Sequence, residues 1–148
     1  MVEAVSNKTV SKQLNELIEM DFDAIAAYQA AVERLESEGL KTQLLQFMRD
    51  HEQHVARLSA AVKELGGMPV KKGDIKRLLT KGSVFIADLF GDKAILMAMR
   101  VNEEHTNKAY EAAVKERFPE DIHRIVLGGL SDERHHRDWI VAKIKAME

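Results

Sequence analysis

Six acids and histidines, in two groups of three, have the side-chain types and the spacing of a metal site. The first group is Asp21, His51 and His54, and the second is Glu103, Glu133 and His136. Each member of the first group is followed, 82 residues later, by a member of the second. Carboxylates together with imidazoles suit iron, manganese or zinc better than calcium or magnesium. The six residues are therefore candidate ligands for one or two ions of these metals.

The 82-residue offset extends well beyond the candidate ligands. It relates Tyr28 to Tyr110, the only two tyrosines in the chain, and Asp50 to Asp132. It also relates apolar pairs, among them Leu14 with Leu96, Leu44 with Val126, and Leu58 with Ile140. A duplicated helical hairpin that carries acids and histidines on its inner face predicts a metal site between its two halves.

Helical geometry separates the inner polar residues from the outer ones. Successive residues advance by about 100° around a helix, so residues three or seven apart share a face. Glu133 therefore shares a face with His136, on a stripe that is otherwise apolar. An unpaired carboxylate in a bundle core is unfavourable, and a bound cation removes that difficulty. The same geometry directs four polar neighbours outward, which are Glu52, Glu104, His105 and His135.

Two aspartates and the two tyrosines are candidates for a second layer around the ligands. Asp50 and Asp132 each lie four residues before a candidate histidine, and metal-bound imidazoles commonly donate their second N–H group to a carboxylate. The aspartates could accept such a bond on their own helix or across the two halves, or they could form salt bridges at the surface. Tyr28 and Tyr110 could donate to the ligand carboxylates, or they could be core tyrosines whose hydroxyl groups are satisfied elsewhere.

Four amphipathic helices are predicted to position these residues. Apolar stripes indicate helices at about residues 9–37, 40–65 and 92–117, with a fourth that begins near Pro119. The short loop within each pair predicts two antiparallel hairpins, 9–65 and 92–147, joined by a crossover over 66–91. Because a helix of about 26 residues spans roughly 39 Å, the crossover must run the length of the bundle. The prediction is an all-α, ferritin-like four-helix bundle that forms a single domain, 1–148.

The crossover contains an apolar run, 83–90, and a cluster of basic residues. We interpret the apolar run as a strap over the core. A short helix against a second subunit and a short strand are the alternatives. The basic residues predict a solvated face in preference to an anion site, and they are Lys71, Lys72, Lys76, Arg77 and Lys81.

Composition fits one globular domain and excludes several functions. With 148 residues, of which 45% are hydrophobic and 31% charged, the chain can form a single ordinary core. The net charge of −2 gives no reason to expect nucleic acid or an anionic membrane as a partner. Cysteine is absent, which excludes disulfides, thiolate ligands, a cysteine nucleophile and a built-in dithiol electron-transfer pair. With neither a signal peptide nor a membrane span predicted, we expect the chain in the cytoplasm.

Several parts of the chain resemble known iron proteins. The run from Asp132 to Ile140 resembles the fourth helix of bacterioferritins, and the seven-residue spacing from acid to tyrosine resembles rubrerythrins. The exit from the second helix, Gly66 to Pro69, resembles small bacterial ferritin-like domains. Over the whole bundle the chain resembles the ferritin-like superfamily of di-iron carboxylate proteins. The resemblance implies iron as the preferred metal, with manganese or zinc as alternatives, and we expect a homodimer or higher homo-oligomer.

The first half of the chain departs from the pattern of that superfamily. Each half there supplies one terminal carboxylate and one Glu-x-x-His motif. The second half of this chain matches, with Glu103 as the terminal carboxylate and with Glu133 and His136 as the motif. In the first half, Asp21 stands where glutamate is usual, and His51 stands where the bridging glutamate is usual. Because an imidazole does not bridge as a carboxylate does, a single ion, an asymmetric pair and a mixed pair all remain open.

Three functions compete at this point. The resemblance implies an oxidoreductase, similar to a ferroxidase or a peroxidase, in which bound iron reacts with oxygen or peroxide. Without cysteine, its electrons would come from an external donor. The second function is metal sequestration without turnover, as in a stress protein. The third is a structural bundle that has lost its metal, and metal binding is preferred over it.

Overall fold

The structure is a computed structural model that describes residues 6–74 and 86–148. Its four long helices are α1 (Asn7–Arg34), α2 (Glu38–Glu64), α3 (Asp92–Val114) and α4 (Glu120–Ala146). A short 3₁₀ helix, Lys72–Asp74, follows α2, and the two described ranges contain no strand. The prediction of an all-α four-helix bundle is confirmed. Within the described residues, each helix is too short or too polar to cross a membrane.

The helix boundaries follow from local capping and differ slightly from the predicted ones. The sequence predicts a first helix that reaches residue 37, but α1 ends at Arg34, and Ser37 is instead the N-cap of the next helix. The Ser37 side chain accepts a hydrogen bond from the Leu40 backbone N–H, which caps α2. The Asp92 carboxylate, in the first turn of α3, accepts bonds from the backbone N–H groups of Glu36 and Ser37 at 2.8 and 3.0 Å. The start of α3 is therefore fastened to the loop between α1 and α2.

Hydrogen bonds between helices fix their directions. Tyr28 on α1 contacts Glu103 on α3, whereas Asp21, earlier on α1, contacts Tyr110, later on α3. These two helices therefore run antiparallel. Along α2 and α4 the contacts also run in opposite orders, since His136 meets Asp50 and Asp132 meets His54. All neighbouring helices are thus antiparallel, so α2 and α3 run parallel and the connection between them returns along the bundle.

Part of this connection falls outside the described residues. The predicted strap, 83–90, is described only from Ile86, which is buried in the core, to Phe90, which is 84% exposed. Lys71 and Lys72 are exposed, as a solvated face requires. The other basic residues of the predicted face, Lys76, Arg77 and Lys81, lie outside the described ranges.

The core consists of two apolar clusters at the two ends of the bundle. Leu44, Leu96 and Ile140 belong to one cluster. Their partners at the 82-residue offset, Val126, Leu14 and Leu58, belong to the other. Residues related by the 82-residue offset therefore lie at opposite ends of the bundle. This is the relation that a twofold axis through the middle of the bundle, perpendicular to its length, produces. The buried polar residues lie between the clusters, where this axis passes.

Candidate metal centre

The four helices bring all six candidate ligands to the middle of the bundle. Each of these side chains is buried, and the most accessible of them, His54, is only 3% exposed. The four polar neighbours expected to point outward are exposed, namely Glu52, Glu104, His105 and His135. The phase of every helix therefore matches the one predicted from its apolar stripe.

Four of the buried residues form a first group, which we call the Asp21 cluster. Asp21 Oδ1 lies 2.8 Å from His51 Nδ1 and 3.1 Å from His54 Nδ1. Glu133 Oε1 lies 3.3 and 3.6 Å from the same two nitrogens. Donor atoms about 2.1 Å from one ion lie roughly 3.0–3.4 Å from one another in octahedral or tetrahedral geometry. The atoms of the Asp21 cluster are therefore spaced as ligands of one ion are.

A second group, the Glu103 cluster, consists of His51, Glu103, Glu133 and His136. Glu103 Oε1 lies 3.5 Å from His51 Nε2 and 3.4 Å from His136 Nδ1. Glu133 Oε2 lies 3.6 Å from His136 Nδ1. In each cluster the ligating atoms lie within 4.8 Å of one another. His51 and Glu133 belong to both clusters, and they are related by the 82-residue offset.

The two predicted aspartates contact the histidines across the twofold axis rather than along their own helices. Asp132 Oδ2 accepts a hydrogen bond from His54 Nε2 at 2.8 Å, and Asp50 Oδ2 accepts one from His136 Nε2, also at 2.8 Å. These bonds direct the Nδ1 atom of each ring toward the centre. A carboxylate that holds the outer nitrogen of an inward-facing imidazole is the usual support of a metal-binding histidine.

The two tyrosines also contact the opposite half. Tyr110 donates a hydrogen bond to Asp21 Oδ2 at 2.6 Å, and Tyr28 donates one to Glu103 Oε1. Burial, and next the charge of the accepting carboxylate, raises the pKa of each tyrosine well above its ordinary value. Both hydroxyl groups therefore stay protonated and serve as donors that hold the terminal carboxylates in place.

Residues 9–116, nearly three quarters of the chain, match a family described as Domain of unknown function (DUF2383). The chain belongs to this family. No curated protein was found to match the chain. The matched range contains α2, α3 and all but the first two residues of α1, whereas Asp132, Glu133 and His136 lie beyond it on α4. Membership in DUF2383 therefore places the chain among its relatives without naming an activity.

Thr106 and Asn107 join the site in this DUF2383 protein, although sequence reasoning gave neither a role. Thr106 Oγ1 lies 3.1 Å from Glu103 Oε2 and 3.0 Å from Glu133 Oε2. Asn107 Nδ2 donates to the backbone carbonyls of Glu103 and Glu133, at 2.7 and 3.0 Å. Thr106 lies on the same face of α3 as Glu103 and Tyr110, but a threonine on an inner face is usually a core residue. Only its contacts identify it as a link between α3 and α4.

The Asp21 cluster is strongly ion-paired. Burial would raise the pKa of Asp21, but hydrogen bonds from His51 and His54 outweigh burial and hold that pKa below its ordinary value. Burial would lower the pKa of His54, but hydrogen bonds to Asp132 and Asp21 instead raise it to about 9. Each nitrogen of the His54 ring thus donates to a carboxylate, which only the imidazolium form can do.

The two carboxylates of the Glu103 cluster differ in charge. Burial would raise the pKa of Glu103, but the nearby imidazoles of His136 and His51, with ring nitrogens 3.4 and 3.5 Å from Glu103 Oε1, hold it well below its ordinary value. Burial raises the pKa of Glu133 to about 7, although the charge of His51 opposes this shift. For His136 burial is outweighed, first by the hydrogen bond to Asp50, and its pKa rises to about 10. Glu133 is therefore the carboxylate whose negative charge its surroundings compensate least.

Three buried atoms of the candidate ligands have no partner in hydrogen-bonding geometry. They are His51 Nε2, Glu133 Oε1 and His136 Nδ1. Buried polar atoms are normally satisfied, so three unsatisfied atoms among six neighbouring side chains require an explanation. All three are potential metal-binding atoms, and all three face one or both clusters. The donor set and its unsatisfied atoms fit a cation.

Proposed function

We propose that this protein binds iron at the Asp21 and Glu103 clusters and belongs to the ferritin-like group of carboxylate proteins. The ligands are Asp21, His51, His54, Glu103, Glu133 and His136. The observation that carries the proposal is the coincidence of unsatisfied buried atoms with ligand-like spacings between donors. In a network held by hydrogen bonds alone, His136 Nδ1 would be expected to pair with one of the two carboxylates that lie within 3.6 Å of it, but it is unpaired.

The fold supports the ferritin-like assignment. Two antiparallel hairpins, joined by one connection that returns along the bundle, form the arrangement found in ferritin-like folds. In that group, the inward ligands are one carboxylate from each of two helices and a Glu-x-x-His motif from each of the other two. Here α1 and α3 supply the single carboxylates, Asp21 and Glu103. The motif is intact on α4, whereas α2 has His51 in place of its glutamate.

The types of donor atom narrow the choice of metal. Imidazole and carboxylate ligands without a thiolate suit iron, manganese and zinc, and they disfavour calcium and magnesium. The three central carboxylates, with the two outer aspartates behind the histidines, provide enough negative charge for divalent or trivalent ions. Iron is the choice that the ferritin-like arrangement favours.

Bound iron would supply one-electron chemistry toward oxygen or peroxide. The protein's own residues determine what can reach it and how the ligands are held. Complete burial of the ligands excludes large substrates from the centre. Asp50 and Asp132 orient the imidazoles, and Tyr28 and Tyr110 orient the terminal carboxylates. Because the chain has no cysteine, electrons would arrive from a separate donor.

A structural role without metal is the second candidate, and one observation favours it. His51 and His54 approach Asp21 within 2.8 and 3.1 Å, so imidazolium–carboxylate pairs already compensate much of the buried charge. Such a network would stabilise the bundle by itself. It leaves the unsatisfied atoms of the Glu103 cluster unexplained, and for that reason we prefer the metal site.

Metal analysis tests the proposal directly. The protein is purified without added metal or chelator, its metal content is measured, and Fe(II) is then titrated anaerobically. We expect bound iron in the wild type and in His135→Ala, which removes an exposed imidazole, and a clear loss in His136→Ala. Admission of oxygen separates oxidation of the iron from inert storage. Absence of metal after the Fe(II) addition would instead establish the structural role.

A further inference from the structure

His51 is positioned between the two clusters, with one ring nitrogen on each side. Its Nδ1 lies 2.8 Å from Asp21 Oδ1 and 3.3 Å from Glu133 Oε1, in the Asp21 cluster. Its Nε2 lies 3.5 Å from Glu103 Oε1, in the Glu103 cluster, and has no hydrogen-bond partner. Neither nitrogen of His51 therefore contacts an outer carboxylate, in contrast to His54 and His136.

Glu133, the partner of His51 at the 82-residue offset, divides its two oxygens in the same way. Oε1 faces His51 and His54 in the Asp21 cluster, whereas Oε2 faces His136 in the Glu103 cluster. Such a carboxylate is arranged to bridge two ions. Because the twofold axis relates the two residues, His51 occupies the equivalent bridging position on the other side of the centre.

The surroundings of the His51 ring hold it in this orientation. The side chain is fully buried, and the Tyr28 ring lies against it at 5.4 Å between centroids. The rings of His54 and His136 also lie near it, at 5.4 and 5.2 Å between centroids. A ring enclosed in this way keeps each nitrogen directed at its own cluster.

We propose that the His51 ring bridges two metal ions, with Nδ1 bound in the Asp21 cluster and Nε2 bound in the Glu103 cluster. The inference rests on the proposed function and adds to it the ligand that joins the two ions. A ring bound through both nitrogens carries no N–H group, so each ring nitrogen releases its proton to solvent when its own ion binds. No atom changes oxidation state. The centre then has one imidazole bridge and one carboxylate bridge, in place of two carboxylate bridges.

Nitrogen NMR of ¹⁵N-histidine-labelled protein tests the bridge, with Zn(II) alone as a diamagnetic probe. The His51 ring signals are assigned by their absence from His51→Glu. We expect the wild type to bind two equivalents of Zn(II), with both His51 ring nitrogens in the metal-bound range and no His51 N–H signal. His54 and His136 should each retain the N–H group that contacts an aspartate, and they serve as internal controls.

The possible failures are distinguishable. If Zn(II) binds and shifts His54 or His136 while His51 keeps an N–H group, the bridge is wrong and metal binding stands. If neither Zn(II) nor anaerobic Fe(II) changes any of the three rings, both the bridge and the proposed function are wrong. The measurement itself uses the wild-type protein, and if His51→Glu does not fold, through-bond correlation from ring to backbone assigns the His51 signals instead.

Discussion

The hairpin of α1 and α2 and the hairpin of α3 and α4 exchange the same hydrogen bonds across the centre. Tyr28 donates to Glu103 as Tyr110 donates to Asp21. In the same manner, each histidine that faces a single cluster donates to the aspartate on the opposite hairpin. The frame that positions the candidate ligands is therefore symmetric, although the two halves differ at most other positions.

The residues inside this frame are not symmetric. His51 in the first half corresponds to Glu133 in the second, and the link formed by Thr106 has only Ala24 as its counterpart. Phe47, whose ring lies 4.3 Å from that of His136, corresponds to Gly129. A Cβ atom at Gly129 would lie 2.3 Å from the Tyr110 ring, so the glycine makes room for that tyrosine. A repeated frame can thus hold different central residues, and these set the charge and the ligands of each cluster.

Removal of the shared carboxylate should have the largest effect. Glu133→Gln keeps the shape of the side chain but leaves both clusters without their common anionic ligand. We expect metal affinity to fall by more than the roughly 10–100-fold that loss of an outer partner causes. Metal titration followed by calorimetry measures the change, with Glu104→Gln, at an exposed position, as the matched control. Retention of two ions at unchanged affinity would remove Glu133 from the ligand set.

Substitution of each outer aspartate should weaken metal binding in one cluster and leave the other unchanged. Asp132→Asn should weaken the Asp21 cluster through His54, whereas Asp50→Asn should weaken the Glu103 cluster through His136. Each is expected to reduce affinity for one ion by roughly 10–100-fold. A two-step titration, with Asp138→Asn as an exposed control, checks both. If Asp50→Asn weakens the same ion as His54→Ala, the assignment of Asp50 to His136 in the opposite hairpin is wrong.

A change of pH should move stability and metal affinity in opposite directions. After removal of metal with a chelator, His54 and His136 have pKa values of about 9 and 10, above the ordinary 6.5. Their contribution to the free energy of unfolding is fully present below about 6.5 and is lost as the pH rises through 9 and 10. Metal must displace the proton on Nδ1, so affinity should rise over that range by up to about tenfold per pH unit per proton.

Thermal unfolding with and without metal tests whether stability and metal affinity change in opposite directions with pH. The melting temperature of the chelated protein should fall between pH 7 and 10, and that of the Zn(II)-loaded protein should change less. Proton release upon Zn(II) addition at pH 7 is the independent check. Equal pH profiles in the two forms would mean that the histidines do not exchange protons for metal.

The residues of the symmetric frame could be predicted from the sequence, because the offset and the helical period together place side chains on inner or outer faces. The four long helices and their hairpins followed from the same pattern. The partners of Asp50 and Asp132 did not, since spacing along one helix allows a bond on that helix as readily as one across the bundle. Likewise, the shared position of His51 depends on how four helices meet, and the periodicity of one helix contains no such information.

Contacts made by residues in only one half of the repeat also could not be predicted from the sequence. Thr106 and Asn107 have only Ala24 and Ile25 at the corresponding positions, so the repeat gave no signal for them. The end of α1 was misplaced because Ser37 can follow one helix or cap another, and only the hydrogen bond to Leu40 decides between these roles.

Anomalous-scattering crystallography of the protein prepared with Fe(II), with data collected on both sides of the iron edge, tests the central claim most directly. We expect two peaks in the middle of the bundle. One should be bound by Asp21 and His54, the other by Glu103 and His136, with His51 and Glu133 shared between them. A map without a peak there, or with iron only at exposed residues such as His105 and His135, would contradict the account.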